Sequence, residues 1–374
     1  MNEHRKPRVA VVFGGRSSEH GISCVTAGSV LAAINRDKYD VVPIGIATDG
    51  GWVLESGDVS RLAIAGHDDP LPSVDASLPT VMLSQAGANT DLVVTEVGAP
   101  PAVLGEVDVV FPLLHGPWGE DGTIQGMLEM AGVRYVGAGV LASAVGMDKA
   151  FMKIVLQSAG LPVLPSVTVT RRDWERDQLS CRDRISSLGF PCFAKPARGG
   201  SSFGISKIHD SSEIAAAMEV AMQHDPKVLI EQAAPIGSRE VECGVLQSLD
   251  GDPETSLPAE IRIGGDHEFY DFAAKYLPGE HTSLEVPADL PDDVIARMQA
   301  LAAQAFTALD CEGLARVDFF YLPDGSLVIN ELNTMPGFTP VSMYPAMWAA
   351  SGVDYPDLVD RLISLALRRD TGLR

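Results

Sequence analysis

Apolar residues in the first third of the chain fall in short continuous runs, from Arg8 to Phe13, Val41 to Ile46 and Val107 to Leu114. Runs of that length, bounded by glycine or polar residues, predict strands buried on both faces. Between the first two, Gly14-Gly15 opens an amphipathic stretch through Val25 and Leu31 that predicts a helix. Asp121-Gly122 leads into a second helix around Gln125 to Met130, followed by a short strand at Arg134 to Val136. Alternation of strand and helix predicts a parallel α/β unit whose ligands gather at the carboxyl ends of the strands. Gly14, Gly15, Glu19 and His115 fall at such ends. The stretch from Ala63 to Gly98, rich in Pro, Asp and Ser, reads as an irregular excursion.

The pattern changes after Met147. A helix is predicted from Asp148 to Ala159, then strands at Val167 to Val169, Cys192 to Lys195, Ile205 to Ile208 and Val228 to Glu231, with a helix at Ser212 to Met222. Long strands at Glu240 to Leu246 and Leu314 to Leu322 follow, with helices from Pro291 to Leu309 and from Tyr355 to Arg369. Strands grouped with helices in this way predict α+β units. At 374 residues the chain exceeds what one hydrophobic core supports. The expected division is an α/β unit over 1–146 and two α+β units over 147–235 and 236–374.

Charge narrows the choice of ligand. A net charge of -22 excludes nucleic acid and anionic membranes as partners, since both need a basic face. An anionic ligand must therefore meet a local cluster of Lys and Arg. No apolar stretch is long enough to span a membrane, and the run after Arg5, Lys6 and Arg8 is too short for a signal-peptide core. The 5 cysteines, without CxxC spacing, suggest neither disulfides nor zinc and fit a reducing cytoplasm.

Four segments carry candidate chemistry. Lys195-Pro-Ala-Arg-Gly-Gly-Ser-Ser-Phe-Gly204 sets glycines and hydroxyls between two strands, as a phosphate-covering hairpin or a plain turn would. Gly137-Ala-Gly139-Val-Leu-Ala142 matches a dinucleotide fingerprint, but no acid occurs between Asp148 and Asp173 to hold a ribose. A strand-to-helix turn is the better reading, and it argues against a dinucleotide-dependent oxidoreductase. In the C-terminal hairpin, a two-residue turn at Asp324-Gly325 would set Asp318 across from Glu331 and Arg316 across from Asn333, all on one face. Two carboxylates and a carboxamide inside otherwise apolar strands point to Mg²⁺ more than to a solvated ion pair. The loops Thr334 to Met343 and His115 to Gly122 could orient a substrate or be simple turns.

In order along nearly the whole chain, these motifs resemble the D-alanine:D-alanine ligases, an ATP-grasp family. The resemblance rests on Phe13-Gly-Gly-Arg-Ser-Ser-Glu19-His, His115-Gly-Pro-Trp-Gly-Glu-Asp-Gly122, Met147-Asp-Lys149, the loop after Lys195, Phe269-Tyr-Asp-Phe-Ala-Ala-Lys275-Tyr276, and Arg316 through Ser342. It implies an ATP-grasp fold, an α/β domain followed by two α+β domains enclosing the nucleotide, and ligation of two D-alanines through an acyl phosphate. By the same resemblance Lys149, Lys195, Ser202 and Lys275 would contact ATP phosphates, while Glu231, Gln232, Ala233, Ala234 and Glu240 would hold adenine and ribose. Asp318, Glu331 and Asn333 would bind two Mg²⁺ or Mn²⁺ ions. Glu19, linked through Ser201 to Tyr276, would receive the first D-alanine, with His115 beside it. Ser342 and Met343 would receive the second, and Arg316 with Gly337 would stabilise the oxyanion. A cytoplasmic homodimer acting on small molecules is implied. Gly199 stands where many members carry an acid, and Pro235 to Ser238 is slightly longer than usual. D-lactate or D-serine as acceptor is the alternative, with Tyr276 favouring the dipeptide. A nucleotide-binding module without catalysis is the remaining rival.

Overall fold

The computed structural model describes residues 5–63, 70–84, 90–200, 203–249, 251–263 and 282–372. The first sheet holds β1 (Arg8–Gly14), β2 (Asp40–Ile46), β3 (Trp52–Leu54), β4 (Thr80–Ser84), β5 (Asp91–Thr95), β6 (Ala102–Glu106), β7 (Val109–Pro112) and β8 (Arg134–Tyr135), in the order β6-β5-β4-β3-β2-β1-β7-β8. Only β2, β1, β7 and β8 run parallel. The other neighbours are antiparallel, so the sheet is mixed rather than purely parallel. The stretch expected to be irregular contributes β4 and β5, whose Val81 and Leu92 are buried while Met82 faces solvent. Two short β-branched runs within polar surroundings suffice for a hairpin once an existing sheet edge offers partners.

The second sheet consists of β9 (Ser166–Thr170), β10 (Cys192–Pro196), β11 (Ser206–Ile208) and β12 (Lys227–Gln232), ordered β11-β10-β12-β9. The third is built from β13 (Arg239–Leu246), β14 (Glu254–Thr255), β15 (Ala259–Ile263), β16 (Thr282–Glu285), β17 (Leu314–Tyr321) and β18 (Leu327–Asn333). Its main path is β16-β15-β13-β17-β18, and β14 pairs with β13. Both later sheets are antiparallel throughout.

Cores form where these sheets meet helices. Ile214, Met218 and Ala221 of the helix Ile214–His224 pack on Ala194, Val228 and Ile230 of the second sheet. Val294, Met298, Ala302 and Ala305 of the helix Asp292–Ala308 cover Val241, Val245, Val317 and Phe319 on the back of the third. The last helix, Tyr355–Arg368, returns to the first sheet, setting Leu358, Leu362 and Ile363 against the Val9, Val11 and Phe111 cluster. Among the described residues no helix is long and apolar enough to cross a membrane.

The hairpin β17–β18 differs from expectation at its turn and agrees at its far end. Leu322 N–H donates to the Ser326 carbonyl at 2.8 Å, leaving a three-residue loop Pro323-Asp324-Gly325 with Gly325 at φ +83°. That loop pairs Tyr321 with Leu327 and Phe319 with Ile329, one residue out of the expected register. A bulge at Asn330 restores the count, so Asp318 does face Glu331 and Arg316 does face Asn333. The bulge also changes which parity of β18 looks inward. Leu327 and Ile329 are buried before it and Leu332 after it, which sends Glu331 and Asn333 to the face of Arg316 and Asp318.

Phe338 sits where the first sheet meets the third. It is fully buried, with ring centroids 6.1 Å from Phe111, 6.0 Å from Tyr344 and 5.6 Å from Tyr355. Phe338→Ala is expected to lower unfolding free energy by about 3–5 kcal/mol, measured by chemical denaturation. A loss below about 1 kcal/mol would show that this aromatic seam does not hold the two sheets together.

Candidate active site

One cavity of about 1160 Å³ opens between the carboxyl ends of the first sheet and the facing surfaces of the other two. Its floor is a polar band across three neighbouring strands. Glu240 and Glu242 on β13, Arg316 and Asp318 on β17, and Glu331 and Asn333 on β18 alternate with the apolar residues that face the helix behind. The Arg316 guanidinium grips both Asp318 oxygens at 2.7 Å and lies 3.0 Å from Glu242. These two carboxylates hold its charge firmly despite burial. Asn333 Nδ2 donates to Asp318 Oδ2 at 3.0 Å.

Lysines supply the opposite wall. Lys149 begins the helix Lys149–Ser158, capped by Asp148. Its ammonium lies 3.1 Å from Glu331 and donates to the Gly199 carbonyl at 3.0 Å, so it touches both the β18 carboxylate and the glycine loop. Lys195, on β10, is 2.8 Å from Glu231 on the neighbouring strand. Lys153 contacts the other oxygen of Glu231 from one helical turn beyond Lys149. Burial pulls the Lys153 ammonium below its ordinary range, whereas Glu231 helps to hold Lys195 above it against burial. The paired lysines keep Glu231 ionised although it is 2% exposed. From Glu231 the cavity wall continues through Gln232, Ala233 and Ala234.

On the first-sheet side, Glu19 precedes the helix His20–Ala33 and is 6% exposed. Two glycines approach it closely. A Cβ at Gly116 would lie 2.5 Å from Glu19 Oε2, and one at Gly200 would lie 3.0 Å away. Only hydrogens fit there, so the loop after β7 and the loop after β10 both close on this carboxylate. His115 and Glu120 line the same corner. Burial and the nearby Glu19 charge push the Glu120 carboxyl up to about 8, so it keeps its proton at neutral pH. Burial lowers the His115 imidazole, favouring the neutral ring. Across the cavity lie Gly337, Ser342 and Met343. Ser342 stands at the N-cap position of the helix Met343–Ala350 without a side-chain cap bond, its hydroxyl instead accepting the Thr339 N–H at 3.1 Å, and the helix N-terminus favours an anion.

The structure thus gathers Glu19, His115, Lys149, Lys195, the segment Glu231 to Ala234, Glu240, Arg316, Asp318, Glu331, Asn333, Gly337, Ser342 and Met343 around one cavity. Ser201, Ser202, Lys275 and Tyr276 lie outside the described residues. Sequence reasoning missed Lys153, Glu242 and Glu120. Glu242 was within reach, since it follows Glu240 by two residues on one strand. Lys153 follows Lys149 by four on one helix face. Glu120 carried no such signal. Gly137-Ala-Gly139 links β8 to the helix Val140–Met147, the strand-to-helix turn expected of it.

Two family models match the chain, D-ala D-ala ligase N-terminus over residues 8–138 and D-ala D-ala ligase C-terminus over residues 155–364. A D-alanine--D-alanine ligase of Pseudarthrobacter chlorophenolicus is 60% identical over 371 residues, 99% of this chain and 96% of the relative. The Streptomyces griseus protein of the same description is 56% identical over 378 residues, covering 99% of this chain and 95% of its own. Among solved structures, the VanG D-Ala:D-Ser ligase from Enterococcus faecalis superposes with TM-score 0.83 at 35% identity, covering 97% of this chain and all of that one. The D-alanine-D-alanine ligase from Coxiella burnetii gives TM-score 0.79 at 32% identity over 97% of this chain and 94% of that one. These neighbours place the fold in the ATP-grasp class. Within that class, the chain belongs to the D-ala D-ala ligase family.

The protonated Glu120 makes a signed prediction. Its folded-state pKa lies above that of an unfolded glutamate, so its contribution to stability is full below about pH 4.5 and is lost as pH rises towards 8. Glu120→Gln cannot ionise. The melting temperature of the variant relative to wild type is therefore expected to rise between pH 5 and pH 8, by roughly 2 °C or more, read by differential scanning calorimetry. A pH-independent difference would show that Glu120 ionises normally in the folded protein.

Proposed function

We propose that this chain joins two D-alanines into D-alanyl-D-alanine at the expense of ATP, releasing ADP and phosphate, for peptidoglycan synthesis. The observation that carries the reading is the convergence of lysines, a carboxylate band and an anion-favouring helix terminus on one cavity, in a chain 60% identical to a named D-alanine--D-alanine ligase along its whole length.

In this reading the nucleotide base rests against Gln232 to Ala234, with Glu240 at the ribose and Lys149, Lys195, Ser202 and Lys275 on the phosphates. The donor set of Asp318, Glu331 and the Asn333 carboxamide suits a hard divalent cation that shares its coordination with phosphate oxygens. We assign these three residues to two Mg²⁺ or Mn²⁺ ions, which when bound would neutralise charge building on the triphosphate.

Glu19 receives the ammonium of the first D-alanine in its glycine-walled corner, with His115 beside it, and we assign Ser201 and Tyr276 the supporting link. The carboxylate of that first D-alanine attacks the γ-phosphate, giving ADP and a D-alanyl acyl phosphate. Lys149 and Lys195 offset the negative charge of that step. The second D-alanine places its carboxylate at Ser342 and the Met343 N–H, and its amine attacks the acyl carbonyl. Arg316, held in place by Asp318 and Glu242, and the Gly337 N–H stabilise the oxyanion until phosphate leaves. The Gly/Ser loop excludes water from the acyl phosphate. Units over 1–146, 147–235 and 236–374, a homodimer and a cytoplasmic location complete the proposal. The sheet boundaries at Tyr135, Ser166, Gln232 and Arg239 support that division.

ADP release is expected with D-alanine, ATP and Mg²⁺ but not with L-alanine. Mass spectrometry with D-alanine, D-serine and D-lactate mixed is expected to give D-alanyl-D-alanine as the main product, and a predominance of ester or D-serine product would reassign the acceptor. Arg316→Ala should lower kcat by roughly 10²–10³-fold, measured by coupled ADP release. Glu331→Gln should abolish turnover, and undiminished activity in that variant would leave a non-catalytic nucleotide-binding module as the better reading.

A further inference from the structure

The loop that delivers Glu19 is pinned at several backbone groups, and the residue after Glu19 closes it. Gly14 N–H donates to Ser23 Oγ at 2.7 Å, and Gly15 N–H donates to the Ile46 carbonyl at 2.7 Å. The Glu19 N–H donates to Ser17 Oγ at 3.2 Å. His20, 7% exposed, reaches back with its ring so that Nδ1 lies 2.7 Å from the Gly15 carbonyl. The Val74 N–H donates to Nε2 at 3.1 Å, and Ser73 Oγ stands 3.3 Å from the same nitrogen. A carbonyl only accepts and an amide N–H only donates, so these partners require a neutral ring with its proton on Nδ1.

Val74 belongs to an irregular segment, 71–74, that lies as a strap across the start of the helix His20–Ala33. Three glycines make room for it. A Cβ at Gly14 would lie 2.8 Å from Val74 Cγ2, and one at Gly45 of β2 would lie 2.6 Å from Val74 Cγ1. A Cβ at Gly21, the residue after His20, would overlap Leu71 Cβ. The strap thus rests on β2, the loop and the first helical turn together. It holds the His20 ring from outside while the Gly15 carbonyl holds it from within. Across the corner, Gly116 and Gly200 leave Glu19 no space to compensate for a swing of that turn.

We propose that His20, braced by the strap at 71–74, is a positioning residue that aims the Glu19 carboxylate at the ammonium of the first D-alanine. The proposal rests on the ligase reading. It confines the effect to the first substrate, because Lys149, Glu231 and Ser342 stand on later elements.

Three variants of the full-length protein test it. His20→Leu removes both ring bonds, whereas the carboxamide of His20→Gln offers one donor and one acceptor in their place. Gly21→Ala keeps the ring and displaces the strap, although helix propensity alone would favour it. ADP release over a D-alanine series gives two KM values, and calorimetry gives ATP affinity. His20→Leu and Gly21→Ala are expected to raise the first KM by roughly tenfold or more, with the second KM and ATP affinity within about twofold of wild type. His20→Gln should hold the first KM within about threefold of wild type. An unchanged first KM in either His20→Leu or Gly21→Ala would overturn the proposal, as would losses spread equally over both D-alanines and ATP. A His20→Gln value as high as that of His20→Leu would also overturn it. Long-range ¹H–¹⁵N NMR of the wild-type protein should show His20 protonated on Nδ1 alone at neutral pH, and a proton on Nε2 would refute the latch. Should His20→Leu fail to fold, Gly21→Ala and the tautomer decide under the same criteria. Absence of ADP release by wild type with D-alanine would instead refute the ligase reading, which the tautomer does not depend on.

Discussion

A guanidinium surrounded by strands cannot relieve its burial by losing its proton, because arginine stays charged at any pH a protein survives. Arg316 therefore obliges the sheet around it to supply carboxylates. It is matched by Asp318 on its own strand and Glu242 on the next, and the surplus negative charge of that group spreads to Glu331, where Lys149 meets it. Removing one partner from such a group leaves another charge buried without compensation, a loss of about 3–5 kcal/mol. The cleft is therefore set as a unit. Although the chain carries a net charge of -22, it sets Lys149, Lys195 and Arg316 around this cavity, where an anionic ligand would need them.

That unit is useful only if the first sheet stands at a fixed distance from it. The chain achieves this by sending its last helix back to β1 and β7, so the N-terminal sheet shares a core with residues more than 200 positions later. Tyr355 Oη donates to the Phe338 carbonyl at 2.7 Å, and the Arg369 guanidinium donates to the Tyr135 and Gly137 carbonyls at 3.0 and 2.7 Å. Aromatic packing at one end of the seam and charge-assisted bonds at the other leave little freedom to slide. Glu19 and the loop from Thr334 to Ser342 inherit that rigidity.

Periodicity made most elements legible, because a strand buried on both faces and an amphipathic helix each leave a pattern that tertiary contacts reinforce. The β4–β5 hairpin was hidden, since its stability comes from the edge of β3 and not from its own short apolar runs. The polar pairs of the cavity floor were legible through alternation, although Pro323-Asp324-Gly325 forms a longer turn than supposed and the bulge at Asn330 makes up the difference. The two departures of one residue each cancel, and Glu331 therefore reaches the face of Asp318. Glu242 and Lys153 followed periods of two and four from residues already chosen. Glu120 was illegible, since its burial beside Glu19 depends on a contact about 100 positions apart in the chain, and no local spacing encodes such a contact.

The position of Lys153 has a consequence for ligand exchange. Lys195 must turn from Glu231 towards a phosphate if it is to bind one, and a glutamate 2% exposed would then be left ionised in a dry site. Lys153 contacts the second oxygen of Glu231 from behind, so the carboxylate stays compensated while Lys195 changes partner. Lys149 faces the same choice between Glu331 and an incoming phosphate, and there Arg316 and Lys195 also act electrostatically on the carboxylate. The continued compensation of Glu231 follows from one additional buried ammonium, placed a helical turn from Lys149.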